Sequence, residues 1–230
     1  VPKQLTNALV ASPRRRRAWA ALTALALAVA LSAVLLYRES SKPFGFEAEW
    51  MDRLVTQRSP LLTTASLAFD TLGGGVVATL IVPGVVAGLL LLRRRPWAAG
   101  YFLVASILTG LLVQLLKHAV DRARPLDVLV TVDHGSFPSG HAANAALVAT
   151  ALGLLLRRWW MWAAGAAWTI GMMLSRTYLG AHWLSDTLGG VLVAVGVALG
   201  LWELLAARLE RERRGRPEPA GAEETVSARR

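Results

Sequence analysis

The stretch Ser175-Arg176-Thr177-Tyr178-Leu179-Gly180-Ala181-His182-Trp183-Leu184-Ser185-Asp186 puts a cation, an imidazole and a carboxylate between two apolar runs. If the residues after Gly180 are helical, His182 and Asp186 stand i and i+4 on one face, and the carboxylate can hold an imidazole nitrogen. That is the arrangement of an oriented base or nucleophile. Arg176, just upstream, can hold an anion against the ring. The same side chains would equally serve as polar caps on two membrane helices.

Two other segments carry comparable chemistry. In Lys117-His118-Ala119-Val120-Asp121-Arg122-Ala123-Arg124-Pro125, Lys117 and Arg124 are two helical turns apart. They point the same way while the helix lasts, and Pro125 biases Arg124 out of it. Two cations aimed at one point suit a phosphate, which a guanidinium grips with paired hydrogen bonds and an ammonium attracts as a point charge. They also suit interfacial anchoring of a helix end. In Phe137-Pro138-Ser139-Gly140-His141, free N–H groups at a helix start attract anions, Gly140 permits close approach and the Ser139 hydroxyl can donate. Ser139 is also simply a good N-cap, with His141 a capping or interfacial residue. Asp70, ahead of Gly73-Gly74-Gly75, reads as a polar cap rather than a catalytic group. His118, His134, Asp121, Asp127 and Asp133 read as solvated loop residues, and Tyr178 and Trp183 as aromatics of the membrane interface or of a lipid-chain path.

The elements that would position these segments are membrane helices. Hydrophobic residues make up 54% of the 230, and the mean hydropathy is +0.45, too apolar for an ordinary soluble domain. Apolar runs at 18–37, 73–92, 97–116, 140–156, 159–174 and 183–205 approach the roughly 20 residues a spanning helix needs. The fold expected is all-α, a polytopic six-transmembrane-helix bundle over 18–207, flanked by a basic segment 1–17 and a charged, disordered tail 208–230. The run after Arg14-Arg15-Arg16-Arg17 is too long for a signal-peptide core and lacks a small-x-small cleavage site, so it reads as a retained first helix. Residues 61–72 form an entry segment to the second span. Residues 38–60 form either a surface helix with Phe46, Trp50 and Leu54 on one face or a solvated loop. The absence of cysteine excludes disulfides and thiolate chemistry. The net charge of +10 does not point to nucleic acid, because the arginines cluster at the ends of apolar runs. With six alternating spans, 17 of the 25 Lys and Arg fall on the side of both termini, which the positive-inside rule makes cytoplasmic. Lys117, Arg124, His141, Arg176, His182 and Asp186 then meet at the extracytoplasmic face of the cell membrane.

Taken in order, Lys117-x6-Arg124-Pro125, Pro138-Ser139-Gly140-His141 and Ser175-Arg176-x5-His182-x3-Asp186 resemble the three-part signature of the type 2 phosphatidic acid phosphatase (PAP2) superfamily. The resemblance implies a metal-independent phosphatase without cofactor, acting on a lipid phosphate or diphosphate such as undecaprenyl diphosphate, phosphatidylglycerophosphate or phosphatidic acid. It implies His182 as nucleophile forming a phosphohistidine, Asp186 as its partner, and His141 as acid and then base. Lys117, Arg124, Ser139, Gly140 and Arg176 would bind the phosphoryl oxygens. Transfer of the phosphoryl group to another lipid, or a catalytically silent lipid-binding scaffold, are the alternatives. The partners expected are the lipid substrate and the bilayer; oligomeric state is not encoded in the motifs.

Overall fold

The structure, a computed structural model, describes residues 13–38 and 42–215. All regular structure among them is helical: α1 (Pro13–Tyr37), α2 (Gly45–Thr56), α3 (Pro60–Gly73), a π-helical turn (Val77–Ile81) leading into α4 (Val82–Leu92), α5 (Pro96–Val120), α6 (Gly140–Leu156), α7 (Trp159–Tyr178) and α8 (Leu184–Arg214). Proline stands in the first turn of α3 and α5, where its missing N–H costs nothing.

Among the described residues, α1, α5 and α8 are each long and apolar enough to cross a membrane. A fourth crossing follows if α3 and the Val77–Leu92 stretch count as one span bent by 43°. The bend falls at Gly74-Gly75, so the expected entry segment is a helix in its own right. On α5, Ile107, Leu111 and Leu115 form an exposed stripe at i, i+4, i+8, the pattern of a face turned to lipid. The protein is a helical membrane protein.

α8 packs against α1, α5 and α6; α6 packs also on α7, and α3 on α7. Alanine sets these distances: Ala105, Ala143, Ala194 and Ala198 are completely buried, and small residues let membrane helices approach closely. Tyr101 of α5 donates its hydroxyl to the Ala198 carbonyl at 2.9 Å, satisfying a buried polar group between helices.

Two expectations need correction. The tail does not begin at 208, because α8 runs on to Arg214. Glu210 pairs one turn on with Arg213 at 2.7 Å, and Glu212 accepts the free N–H groups of Trp97 and Ala98 at the start of α5 at 2.6 and 3.1 Å. Residues 216–230, and residues 1–12 of the basic segment, lie outside the described residues. The 38–60 stretch does contain a helix, α2, but its buried residues are Glu47 and Met51, while Phe46 is exposed. A polar network described below, not the apolar stripe, decides which face turns inward.

Candidate active site

The three polar segments converge on one cavity of about 250 Å³, lined by Lys117, Arg124, Asp133, Gly140, His141, Arg176 and His182 among others. The helices that carry them end there. α5 stops at Val120 with Asp121 in the left-handed region at φ 44°, earlier than the Pro125 signal suggested. Lys117 and Arg124 nevertheless reach a common point: Lys117 Nζ and Arg124 Nη2 lie 3.1 and 2.5 Å from the same Asp133 carboxylate oxygen. Lys117 Nζ also donates to the Gly135 carbonyl at 2.9 Å, and Arg124 Nη1 to the Ala181 carbonyl at 2.5 Å.

His182 does not sit on a helix with Asp186. α8 begins at Leu184, leaving His182 in the preceding turn, and the imidazole Nδ1 donates to the Ser136 carbonyl at 2.7 Å. A carbonyl only accepts, so Nδ1 carries the proton and Nε2 presents a lone pair, 3.4 Å from Arg124 Nη1. Asp186 Oδ2 is 3.8 Å from Nδ1, an ion-pair distance rather than a hydrogen bond. Its oxygens are committed elsewhere: Oδ2 accepts the Trp183 N–H at 2.7 Å, capping α8, and Oδ1 accepts Arg122 at 2.6 Å. Burial pushes the His182 imidazole down to about 4, with Arg124 and Arg176 adding to the effect and Asp186 opposing it. The ring is therefore neutral at physiological pH. Burial alone would raise the Asp133 carboxyl, but Lys117 and Arg124 outweigh it and hold that group below its ordinary range.

Opposite His182, His141 in the first turn of α6 places Nε2 3.2 Å from an Asp70 carboxylate oxygen and 3.2 Å from the Asp70 carbonyl. Arg176 binds the same Asp70 oxygen. A Cβ at Gly74 would lie 2.0 Å from His141 Nε2, so glycine there is what admits the ring. Ser139 is completely buried and N-caps α6, accepting the Ala142 N–H at 3.4 Å. Its hydroxyl does not line the cavity. Of the predicted site residues, the cavity thus gathers His182, His141, Lys117, Arg124, Arg176 and Gly140, while Asp186 and Ser139 stand behind it.

Sequence reasoning passed over Asp70, Asp133 and the Ser136 carbonyl. Asp70 lies at i and i+3/i+4 from Gly73 and Gly74, a position that did put it beside the break in the helix pair. Nothing in the sequence pattern distinguishes Asp133 from its loop neighbours. Of the residues read as solvated loop, His118 in the last turn of α5 bonds the Gln114 carbonyl at 2.8 Å and His134 pairs with Asp121 at 3.0 Å, away from the cavity. Tyr178 and Trp183 are internal ties rather than belt aromatics: the Tyr178 hydroxyl meets Ser59 N at 2.9 Å and Thr63 at 3.0 Å, and Trp183 Nε1 donates to the Ala123 carbonyl at 2.9 Å.

Residues 98–210, which contain all three segments, match the PAP2 superfamily. A decaprenylphosphoryl-5-phosphoribose phosphatase of Mycobacterium tuberculosis is 35% identical over 158 residues, 64% of this chain and 78% of that protein. A lipid A 1-phosphatase of Rhizobium johnstonii is 32% identical over 117 residues, 46% of this chain and 45% of that protein, so the match spans about half of that relative's length. The crystal structure of a transmembrane PAP2-type phosphatidylglycerolphosphate phosphatase from Bacillus subtilis superposes with a TM-score of 0.69 at 23% identity, covering 86% of this chain and 100% of that one. At that identity the superposition speaks for the fold. With the ordered motifs, the matched region and a relative covered over most of its length, this chain belongs to the PAP2 superfamily.

Proposed function

We propose that this protein is an integral membrane phosphatase that removes phosphate from a lipid phosphate or diphosphate through a phosphohistidine at His182. The observation that carries the reading is the convergence of Lys117 and Arg124 on a single anionic oxygen beside the unprotonated Nε2 of a neutral, buried His182. A substrate phosphoryl group would take the place of the Asp133 carboxylate, with Arg176 and the Gly140 N–H completing its shell. Nε2 attacks phosphorus, the P–O bond to the leaving group breaks, and His141 gives that oxygen its proton. Water, deprotonated by His141, then attacks the phosphohistidine; the P–N bond breaks, orthophosphate leaves and the Nε2 lone pair returns. Lys117, Arg124 and Arg176 stabilise the charge on the equatorial oxygens, the task a metal ion performs in other phosphoryl-transfer sites. Ser139 acts indirectly, holding the start of α6 and hence Gly140 and His141.

Both curated relatives are named for a phosphate carried on a lipid, which supports a lipid-linked substrate. Undecaprenyl diphosphate is the first choice, because recycling of that carrier needs a site on the outer face. The six-span layout over residues 18–207, with cytoplasmic termini and an extracytoplasmic site, belongs to the same proposal and rests on the distribution of Lys and Arg.

The test is phosphate release by purified protein in detergent from undecaprenyl diphosphate, phosphatidylglycerophosphate and phosphatidic acid, with and without a chelator. Turnover of at least one, unaffected by chelation, is the expected result. Phosphorylated acceptor lipid in place of free phosphate would make the protein a transferase. No turnover together with no vanadate binding would leave a scaffold, and loss of activity on chelation would overturn the metal-free step.

A further inference from the structure

A chain of fully buried charges leads from α2 to the back of His182. Glu47, Arg122 and Asp186 have no exposed side-chain surface. Arg122 donates through Nη2 to Glu47 Oε2 at 2.7 Å, and through Nη1 to Asp186 Oδ1 at 2.6 Å and Ser185 Oγ at 2.7 Å. Glu47 Oε1 accepts the Ser185 N–H at 2.8 Å and its hydroxyl at 2.6 Å, while Oε2 also accepts the Phe44 N–H at 3.0 Å. Asp186, the last member, faces His182 Nδ1 at 3.8 Å.

Burying ions is costly, and apolar side chains of similar volume would hold α2 in place as well or better. The network makes sense as a charge arrangement. Arg122 alone on Asp186 would form a neutral pair, and the imidazole would face almost no field from it. Glu47 offsets Arg122, so the cluster of one cation and two carboxylates keeps one net negative charge behind the ring. When Nε2 takes a phosphoryl group while Nδ1 keeps its proton, the ring becomes cationic. A negative cluster stabilises that state over the neutral ring.

We infer that Glu47 is a positioning residue that acts through Arg122 to keep the charge of Asp186 available to the phosphorylated form of His182. The inference rests on the phosphohistidine reading for its purpose, but the charge coupling itself can be read without turnover. His182 is also faced by Arg124, 3.4 Å from Nε2, and by Arg176 across the cavity, with Lys117, His141 and Asp133 on the same walls. All of these are unchanged in the variants proposed.

The experiment is an NMR titration of the histidines in detergent-solubilised protein, with His182 assigned by His182→Gln, alongside steady-state kinetics on a substrate the wild type hydrolyses. Glu47→Gln removes one negative charge, disfavours the protonated ring and moves the His182 midpoint to lower pH by about one unit; kcat falls about tenfold or more while KM changes less than threefold. Glu47→Asp keeps the wild-type midpoint. The double variant Glu47→Gln with Arg122→Gln restores the net charge of minus one and returns the midpoint toward wild type, which a merely structural network would not do. Ser185→Ala, which removes a hydroxyl bridge but no charge, leaves it in place. An unmoved midpoint in Glu47→Gln, or in the double variant a shift that persists, overturns the inference. If Glu47→Gln does not fold, Arg122→Gln decides: it leaves two carboxylates behind the ring and moves the His182 midpoint to higher pH, and an unmoved midpoint overturns the inference. A wild type that titrates as described but hydrolyses no lipid phosphate would instead overturn the proposed function.

Discussion

Asp133 and Asp70 show how much of the site lies in side-chain pairing that no motif records. Lys117, Arg124, His141, Arg176 and His182 were legible from type and spacing, because cations and imidazoles at a membrane edge require a reason. A carboxylate folded back onto those cations does not, since a loop Asp reads as solvated. Asp133 is the most exposed member of the cluster, with 60% of its side-chain surface open, and it occupies the point where Lys117 and Arg124 meet. Under the proposed mechanism it must leave before a phosphoryl group binds. Asp133→Asn therefore lowers the inhibition constant of orthovanadate or inorganic phosphate about tenfold, an energy of about 1.4 kcal/mol; weaker inhibition in the variant would mean that Asp133 holds the cations in place instead of competing for them. The depressed imidazole of His182 makes a second prediction. Between its folded midpoint near 4 and an ordinary value of about 6.5, the unfolded chain binds a proton that the folded one refuses. The contribution is absent as a penalty above about pH 6.5 and grows as pH falls toward 4, so thermal stability drops across that window. In His182→Gln the drop is shallower, measured by Tm between pH 4 and 7; an equal slope would show that His182 is not refusing the proton.

Among the helices, existence was easier to read than ends and faces. The helices over 96–120, 140–156 and 159–178 matched the apolar runs, because length and hydropathy are strong signals. The end of α5 was set by Asp121 in a left-handed conformation, which Pro125 did not foretell. α2 was misread by face, since its Phe46-Trp50-Leu54 stripe was visible while the partners that draw Glu47 inward, Arg122 and Ser185, lie far along the chain. The glycine triplet was legible as a break but not as a fit: Gly74 is where the bent helix pair lets His141 in. Gly74→Ala places a methyl group 2.0 Å from His141 Nε2, against a ring that also contacts Asp70. The variant should lower kcat at least tenfold while vanadate still binds within about threefold of wild type, since the cations are untouched. Unchanged kcat would mean that His141 adapts without loss or has no part in proton transfer.

At the scale of the whole molecule, the membrane supplies the logic that ties the segments together. Apolar runs ending in Arg clusters read as a bundle, and the end of that bundle is where the cavity lies. The sequence could not say that α3 meets the Val77–Leu92 stretch at an angle, because hydropathy is blind to the 43° bend at Gly74-Gly75. Nor could it say that the last helix carries its charged end onto the start of α5, a contact between residues more than a hundred positions apart. The orientation is open to a direct check, because the chain has no cysteine. Leu126 beside the cavity loop is 99% exposed, and Leu126→Cys should react with a membrane-impermeant maleimide in intact cells. A cysteine at Arg94, in the turn before α5, should react only after the membrane is opened. The reverse pattern would place the site on the cytoplasmic side.

The central claim is that phosphorus passes through His182. It is tested most directly by turning over a lipid labelled in its terminal phosphate, quenching in alkali, which preserves phosphohistidine, and locating the label by mass spectrometry of the peptides. The label on the His182 imidazole, absent in His182→Gln together with activity, is the predicted result. An active enzyme that carries no label on His182, or a His182→Ala variant that hydrolyses the lipid at the wild-type rate, would contradict it.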